Sequence, residues 1–168
     1  MKHLKTILLA TALCIGTISF TQAQNKVAHI NTAELIQAMP EMKAAQAELE
    51  TLGKTYQADI QASIKEYQTI VKQYEAEAAT KTDEENQKRG LELQEKQQNI
   101  QQFQADAQQD MQKKELDLLK PITEKAKAAI LKVARVQGYD YVLDAAQSVI
   151  IMSDGKNLLD DVKKELGI

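Results

Sequence analysis

His29, Ser63, Ser148 and Ser153 are the residues from which a nucleophile and its base would have to be drawn once the first 23 residues are set aside. A single imidazole in a predicted strand, with serines scattered over ninety residues of sequence, does not make a triad, and one histidine without clustered partners makes no metal site. No glycine-rich phosphate loop is present. Asp154-Gly155-Lys156-Asn157 has the look of a calcium loop but lacks the repeated acidic ligands and the closing glutamate, so it reads as a turn. The residues argue against an enzyme, a metal and a cofactor.

The side chains that remain with chemistry to offer are amphipathic. Leu49, Leu52, Tyr56, Ile60, Ile64, Tyr67, Val71, Tyr74 and Ala78 follow one another at steps of three or four, the spacing of a single helical stripe. Leu93, Ile100, Phe103, Ala107, Met111 and Leu118 form a second, thinner stripe interrupted at Gln97. Tyr56, Tyr67 and Tyr74 admit two readings: they pack a seam, or they offer rings to a captured chain while keeping their hydroxyls wet. The candidate binding residues are therefore Tyr56, Ile60, Ile64, Tyr67, Val71 and Tyr74 on the first stripe and Ile100, Phe103 and Met111 on the second.

Those stripes need long helices to carry them. Eighty residues without proline separate Pro40 from Pro121, and their midpoint falls at Thr80-Lys81-Thr82-Asp83. Two arms of near-equal length folding back at that point make a projecting helical hairpin. Asn31-Thr32-Ala33-Glu34 and Thr82-Asp83-Glu84-Glu85 have capping-box spacing and start helices near Thr32 and after Thr82. The first ends by Met39, because Pro40 restricts the residue before it and suits the first turn of a new helix. Pro121 is expected to kink or restart the return helix, mirroring Pro40, and Gly138 to close it in a left-handed cap. Gly90 is either a soft spot or a tolerated surface glycine, so Pro40, Gly90 and Pro121 are the candidate hinges. With closure around Lys81, Tyr67 is set near Gln94, Ile64 near Gln97 and Ile60 near Gln101, large apolar groups against amides. Nine glutamines between Gln94 and Gln112 also admit a disordered reading, which the regular apolar spacing disfavours.

Strands are expected at Lys26 to Asn31, Tyr139 to Leu143 and Val149 to Ser153, the last two joined as a hairpin, before a final helix capped by Asn157. Three short strands leave open edges, and closed symmetric association in a small oligomer would cover them. The fold class is α+β, mostly α, with a small β-body and a long antiparallel helical hairpin. Residues 24–168 form one domain, with the body in 24–40 and 121–168 and the arm in 41–120.

Residues 1–23 read as a cleaved secretory signal: a positive start at Lys2 and Lys5, an apolar run from Ile7 to Phe20, and Thr21-Gln22-Ala23 before the cut. An uncleaved anchor is the rival reading, but the run is shorter than the roughly 20 residues a spanning helix needs. Cleavage removes Cys14, the chain's single cysteine, so no disulfide is possible. It also leaves 19 of the 21 basic side chains against 24 acidic ones. That mildly acidic balance argues against nucleic acid as a partner and supplies no polybasic patch for a membrane.

Three stretches together resemble the Skp (OmpH) family of periplasmic chaperones. They are Val27-Ala28-His29-Ile30-Asn31 leading into Pro40-Glu41-Met42-Lys43-Ala44, the long charged hairpin, and Gly138-Tyr139-Asp140-Tyr141-Val142-Leu143-Asp144-Ala145. The resemblance implies a jellyfish-like homotrimer, with a β-barrel body shared by three subunits and three helical tentacles around a cavity. It implies a periplasmic holdase that uses no ATP and keeps unfolded outer-membrane β-barrel proteins from aggregating. By position it assigns Val27, Ile30, Tyr139, Tyr141, Ile150 and Met152 to the oligomeric body and the arm stripe to the cavity wall. Well-known members carry basic tentacle tips, whereas Lys81 to Glu85 is mixed in charge, and Leu159 stands where the family often has Thr. A structural coiled-coil spacer or adaptor of the cell envelope is the alternative function.

Overall fold

The computed structural model describes residues 25–147 and 154–168. The expected signal segment and the expected strand at Val149 to Ser153, with Ile150 and Met152, lie outside those residues. Strand β1 (Val27–Ile30) leads into α1 (Thr32–Ala38), α2 (Pro40–Glu77), a 3₁₀ turn (Ala78–Thr80) and α3 (Asp83–Val136), followed by β2 (Tyr141–Asp144), β3 (Lys156–Asn157) and α4 (Leu159–Leu166).

Local signals account for most helix ends. Asn31 Oδ1 accepts from the Glu34 N–H at 3.0 Å and starts α1. Met39 is extended, and Pro40 opens α2 at its first turn, where the missing N–H costs nothing. Thr82 and Glu85 close a full capping box: Thr82 Oγ1 accepts from Glu85 N at 3.2 Å, and Glu85 accepts from Thr82 N at 3.0 Å. Gly138, just past α3, has φ +69°, the left-handed geometry that glycine tolerates best.

Pro121 does not restart the helix. Among the described residues α3 is the longest element, 54 residues at about 1.5 Å each, or about 81 Å, and Pro121 sits inside it. The proline is exposed, while the next residue, Ile122, is buried, as are Ala126, Ala129 and Val133 one, two and three turns on. Packing of that face holds the chain helical across a ring that lacks one hydrogen bond.

The sheet is parallel throughout, in the order β2-β1-β3. Val27 faces Tyr141 in register and Ile30 faces Asp144, and Ala28 and His29 pair with Lys156 and Asn157. The third described strand is therefore where a turn was expected. Gly155 lies close by: a Cβ there would meet the Val27 carbonyl oxygen at 3.4 Å. Asn157 does not cap α4 in the strict sense. Leu158 holds the cap position, and Asn157 Oδ1 accepts from Leu159 N at 2.9 Å.

The core lies at the root of the hairpin. Ile30, Leu35, Met39, Leu158 and Val162 are its fully enclosed large side chains, packed against Ile122, Ala126 and Val133 of α3. Asp144 ties β2 to α1, accepting from Thr32 Oγ1 at 2.7 Å and Thr32 N at 3.2 Å. Burial pushes the Asp144 carboxyl up, but donation from Ala146 N and Thr32 outweighs it and leaves the group below its ordinary value.

Candidate functional site

Beyond that core the two arms run side by side with almost nothing enclosed. Between Ala45 and Ile122, Ala107 is the one buried residue among those described. Tyr56, Ile60, Ile64, Tyr67, Val71, Tyr74, Ile100, Phe103 and Met111 all lie along the seam and all stay partly exposed. α2 and the arm portion of α3, residues 83–120, each run about 57 Å at the helical rise.

The structure brings the candidate residues together in two groups. Tyr56 meets Phe103 edge-on, ring centroids 6.0 Å apart, and its hydroxyl donates to Asp110 at 2.7 Å. Tyr56, Ile60 and Met111 share a hollow of about 410 Å³ with Gly53, Gln57, Gln61, Gln104, Ala107 and Gln108. Tyr67, Ile100 and Phe103 line a second, of about 200 Å³, with Ser63, Glu66, Lys96 and Asn99. Ile64 and Val71 fall on the seam outside these two groups, and Tyr74 belongs to the tip.

The expected facing of Tyr67 with Gln94 and of Ile60 with Gln101 is corrected: Tyr67 shares its hollow with Ile100 and Phe103, and Ile60 with Gln104 and Met111. Helical side chains lean toward their own N-terminus, so those of α2 lean toward the body and meet α3 residues further from the turn. Aromatic and aliphatic groups thus do find apolar partners, but on a two-helix ribbon that no third element covers among the described residues.

Apart from Tyr74, the tip is held by groups that sequence spacing did not single out. Arg89 places its guanidinium over the Tyr74 ring, 4.5 Å from the centroid, and pairs with Glu77 at 2.5 Å. The Tyr74 hydroxyl donates to Glu92 at 2.7 Å. That bond, with desolvation, raises the Tyr74 hydroxyl above its ordinary value, as Asp110 does for Tyr56. Donation from Gln73, then Arg89, lowers the Glu77 carboxyl. A signal existed: Tyr74 and Glu77, and Arg89 and Glu92, are matched i, i+3 pairs flanking the turn. Lower down, Glu66 pairs with Lys96 at 3.2 Å, Glu48 with Lys114 at 2.7 Å, and Glu41 with Lys125.

The body has its own uncovered surface. Among the described residues β2 lies at an edge of the sheet, its Tyr141 and Leu143 are 57 and 48% exposed, and Val27 is 42% exposed beside them. Ile30 instead faces the core, and Tyr139 is partly covered by Lys26, whose Nζ lies 4.2 Å from the ring centroid. A hollow of about 550 Å³ next to β2 is lined by Ile36, Ala126, Ile130, Leu131, Tyr139 and Val142, among others. Among the described residues no group of three or more His, Cys, Asp or Glu is placed to hold a metal, and no helix is long and apolar enough to cross a membrane.

This geometry has relatives. The family model for outer membrane protein (OmpH-like) matches residues 26–166. A protein named chaperone protein Skp from Photorhabdus laumondii is 26% identical over 158 residues, 94% of this chain and 93% of that protein. A second of that name, from Pectobacterium atrosepticum, is 21% identical over 154 residues, 92% of this chain and 93% of its own. The crystal structure of an OmpH-like outer membrane chaperone from Caulobacter crescentus CB15 superposes with a TM-score of 0.76 at 18% identity, covering 87% of each chain, a likeness of fold.

Proposed function

The chain belongs to the OmpH-like family, and from that premise we propose that it is a periplasmic chaperone that holds unfolded outer-membrane β-barrel proteins and keeps them from aggregating, without ATP. One observation carries the reading. Nine large apolar side chains lie along the arms, Tyr56 to Met111, and none of them is buried. A spacer built on a coiled coil would enclose such a seam against its partner helix. Here a client can add its own apolar groups to surface that the hairpin leaves partly wet. Each contact is weak, and several together along an arm hold one chain by multivalency.

The same reading takes the protein as a homotrimer that joins through the β2 edge, with Val27, Tyr139, Tyr141, Ile150 and Met152 in the shared body. Among the described residues β2 pairs with β1 alone, and its other edge, beside exposed Tyr141 and Leu143, invites a neighbouring copy. Three arms then surround a common space.

The test is dilution of a urea-unfolded outer-membrane β-barrel protein into buffer with and without this protein. Turbidity is expected to be suppressed at about one trimer per client. Undiminished aggregation at a severalfold excess sinks the proposal.

A further inference from the structure

The two flanks of the arm differ in charge, and the difference assigns the client to one of them. Gln57, Ile60, Gln61, Gln104, Gln108 and Met111 line a single hollow that contains no carboxylate, ammonium or guanidinium group. The flank opposite carries the ion pairs that cross between the helices, whereas Glu50 and Lys54, seven and three residues before Gln57, pair with each other within α2 on the Gln57 side, nearer the body than the hollow. Glu48 and Glu66 lie nine residues before and after Gln57 on α2, about two and a half turns away, and so project on the other side of the helix. There they reach across to Lys114 and Lys96.

We propose that the neutral flank is where an unfolded chain lies, as an extended segment whose side chains alternate apolar and uncharged polar. The inference rests on the holdase reading and adds to it the face, the residues and the chemistry of the segment. Extended peptide exposes unpaired N–H and C=O groups, and each glutamine amide offers two donors and one acceptor oxygen. Gln57, Gln61, Gln104 and Gln108, all exposed, match those groups, while Ile60 and Met111 between them take the apolar side chains. A charged segment would meet no counter-charge within the hollow itself and would lose its hydration against Ile60 and Met111. The ion pairs of the far flank hold α2 to α3 and compete with any charged guest for their own partners.

Two pairs of exposed substitutions separate the flanks. Gln57→Glu with Gln104→Glu places charge on the neutral side, and Glu48→Gln with Lys114→Gln, outside both hollows described above, removes it from the other. Retention of a fluorescently labelled, urea-unfolded β-barrel protein is measured for both, alongside far-UV circular dichroism and light scattering. The neutral-flank variant is expected to bind at least ~tenfold more weakly with helicity and assembly unchanged, and the charged-flank variant to stay within about twofold of wild type. Raising salt from about 50 to about 500 mM is expected to leave wild-type binding within about twofold, because no ion pair to the client is screened. Equal loss in both variants, or loss in the charged-flank variant alone, overturns the proposal. So does a neutral-flank variant that falls apart into monomers, since that flank is then covered by a second copy. If the wild type holds the client and the neutral-flank variant does so equally well, this inference fails and the holdase reading stands. If the wild type does not hold it, both fall.

Discussion

Replacing Gly90 by alanine tests how the arm is held. Gly90 lies in the first third of α3, is exposed, and a Cβ built on it meets no atom within 4 Å. The added methyl therefore has nothing to clash with and nothing to pack on. What remains is the helix propensity difference, which favours alanine by about 1 kcal/mol in a helix interior. For a chain of this size that corresponds to a rise in Tm of about 2–4 °C if the tip unfolds with the whole. If the tip opens locally, the gain appears as slower amide exchange around the glycine, by about fivefold for 1 kcal/mol. Circular dichroism melts and hydrogen exchange distinguish the two, and Gln87→Ala provides an exposed control on the same helix. Client retention is expected to be unchanged, since Gly90 lies outside both hollows of the arm. An unchanged or lowered stability refutes the propensity argument. A stabilised protein with slower client release shows instead that the flexibility of Gly90 is used, and makes it a working joint.

Leu35 is fully enclosed at the root, and Leu35→Ala is expected to lower unfolding stability by about 2–5 kcal/mol in urea titration. Ile64→Ser with Tyr67→Ser falls on the partly exposed seam, so client retention is expected to weaken while light scattering reports an unchanged assembly; loss of the assembly would make the seam structural. Tyr141→Glu with Leu143→Glu charges the exposed side of β2 and is expected to yield monomers of native helicity, an outcome that sedimentation velocity checks. The tip is expected to loosen in acid. The Glu85 carboxyl is lowered chiefly by the Thr82 N–H, and Glu77 by Gln73 and Arg89. A carboxylate lowered in the folded state stabilises it above its unfolded value, about pH 4.3, and that stability is lost as pH falls through the lower folded value. Amide exchange near Thr82 should accelerate below about pH 4 in wild type and less so in Glu85→Gln.

Signals confined to a few residues were readable, and signals that depend on distant partners were not. Thr82 and Glu85 satisfy each other's backbone within one turn, so their spacing alone placed the start of α3. Met39 and Pro40 broke the chain for the same reason, because the steric conflict is between neighbours. Pro121 carries the same local preference, yet Ile122 and the buried positions after it pack against α1 and α4, elements remote in sequence, and that packing decides the outcome. β3 is two residues long and has no pattern of its own. It exists because β1 presents a free side to which the chain returns after Gly155. The two stripes of apolar arm residues were legible as periodicity. Which of them meet was not, because the lean of side chains along each helix shifts partners past the register that the turn suggests.

The fate of the two prolines also decides how the arm can move. Pairing Pro40 with Pro121 suggests two joints and a rigid arm swinging between them, but only the first is a break. Met39 is extended between α1 and α2, whereas α3 runs from tip to body without interruption. Around the root, Ala45 and Ile122 are buried, Met42 and Leu118 pack against the core, and Glu41 pairs with Lys125 across the gap. A swing at Pro40 would have to pull these apart while bending a continuous helix. Further out the resistance is smaller: Ala107 is enclosed, a Cβ built on Gly53 would lie 3.8 Å from the Met111 methyl, and otherwise exposed ion pairs and partly wet side chains join the helices. Exposed pairs of this kind contribute about 0–1 kcal/mol each. The freedom of the arm therefore lies along its outer length, in the spacing and gentle curvature of α2 against α3. That is where Tyr56, Ile60, Tyr67 and Met111 sit, so a client that inserts side chains between them meets the part of the hairpin that yields at least cost.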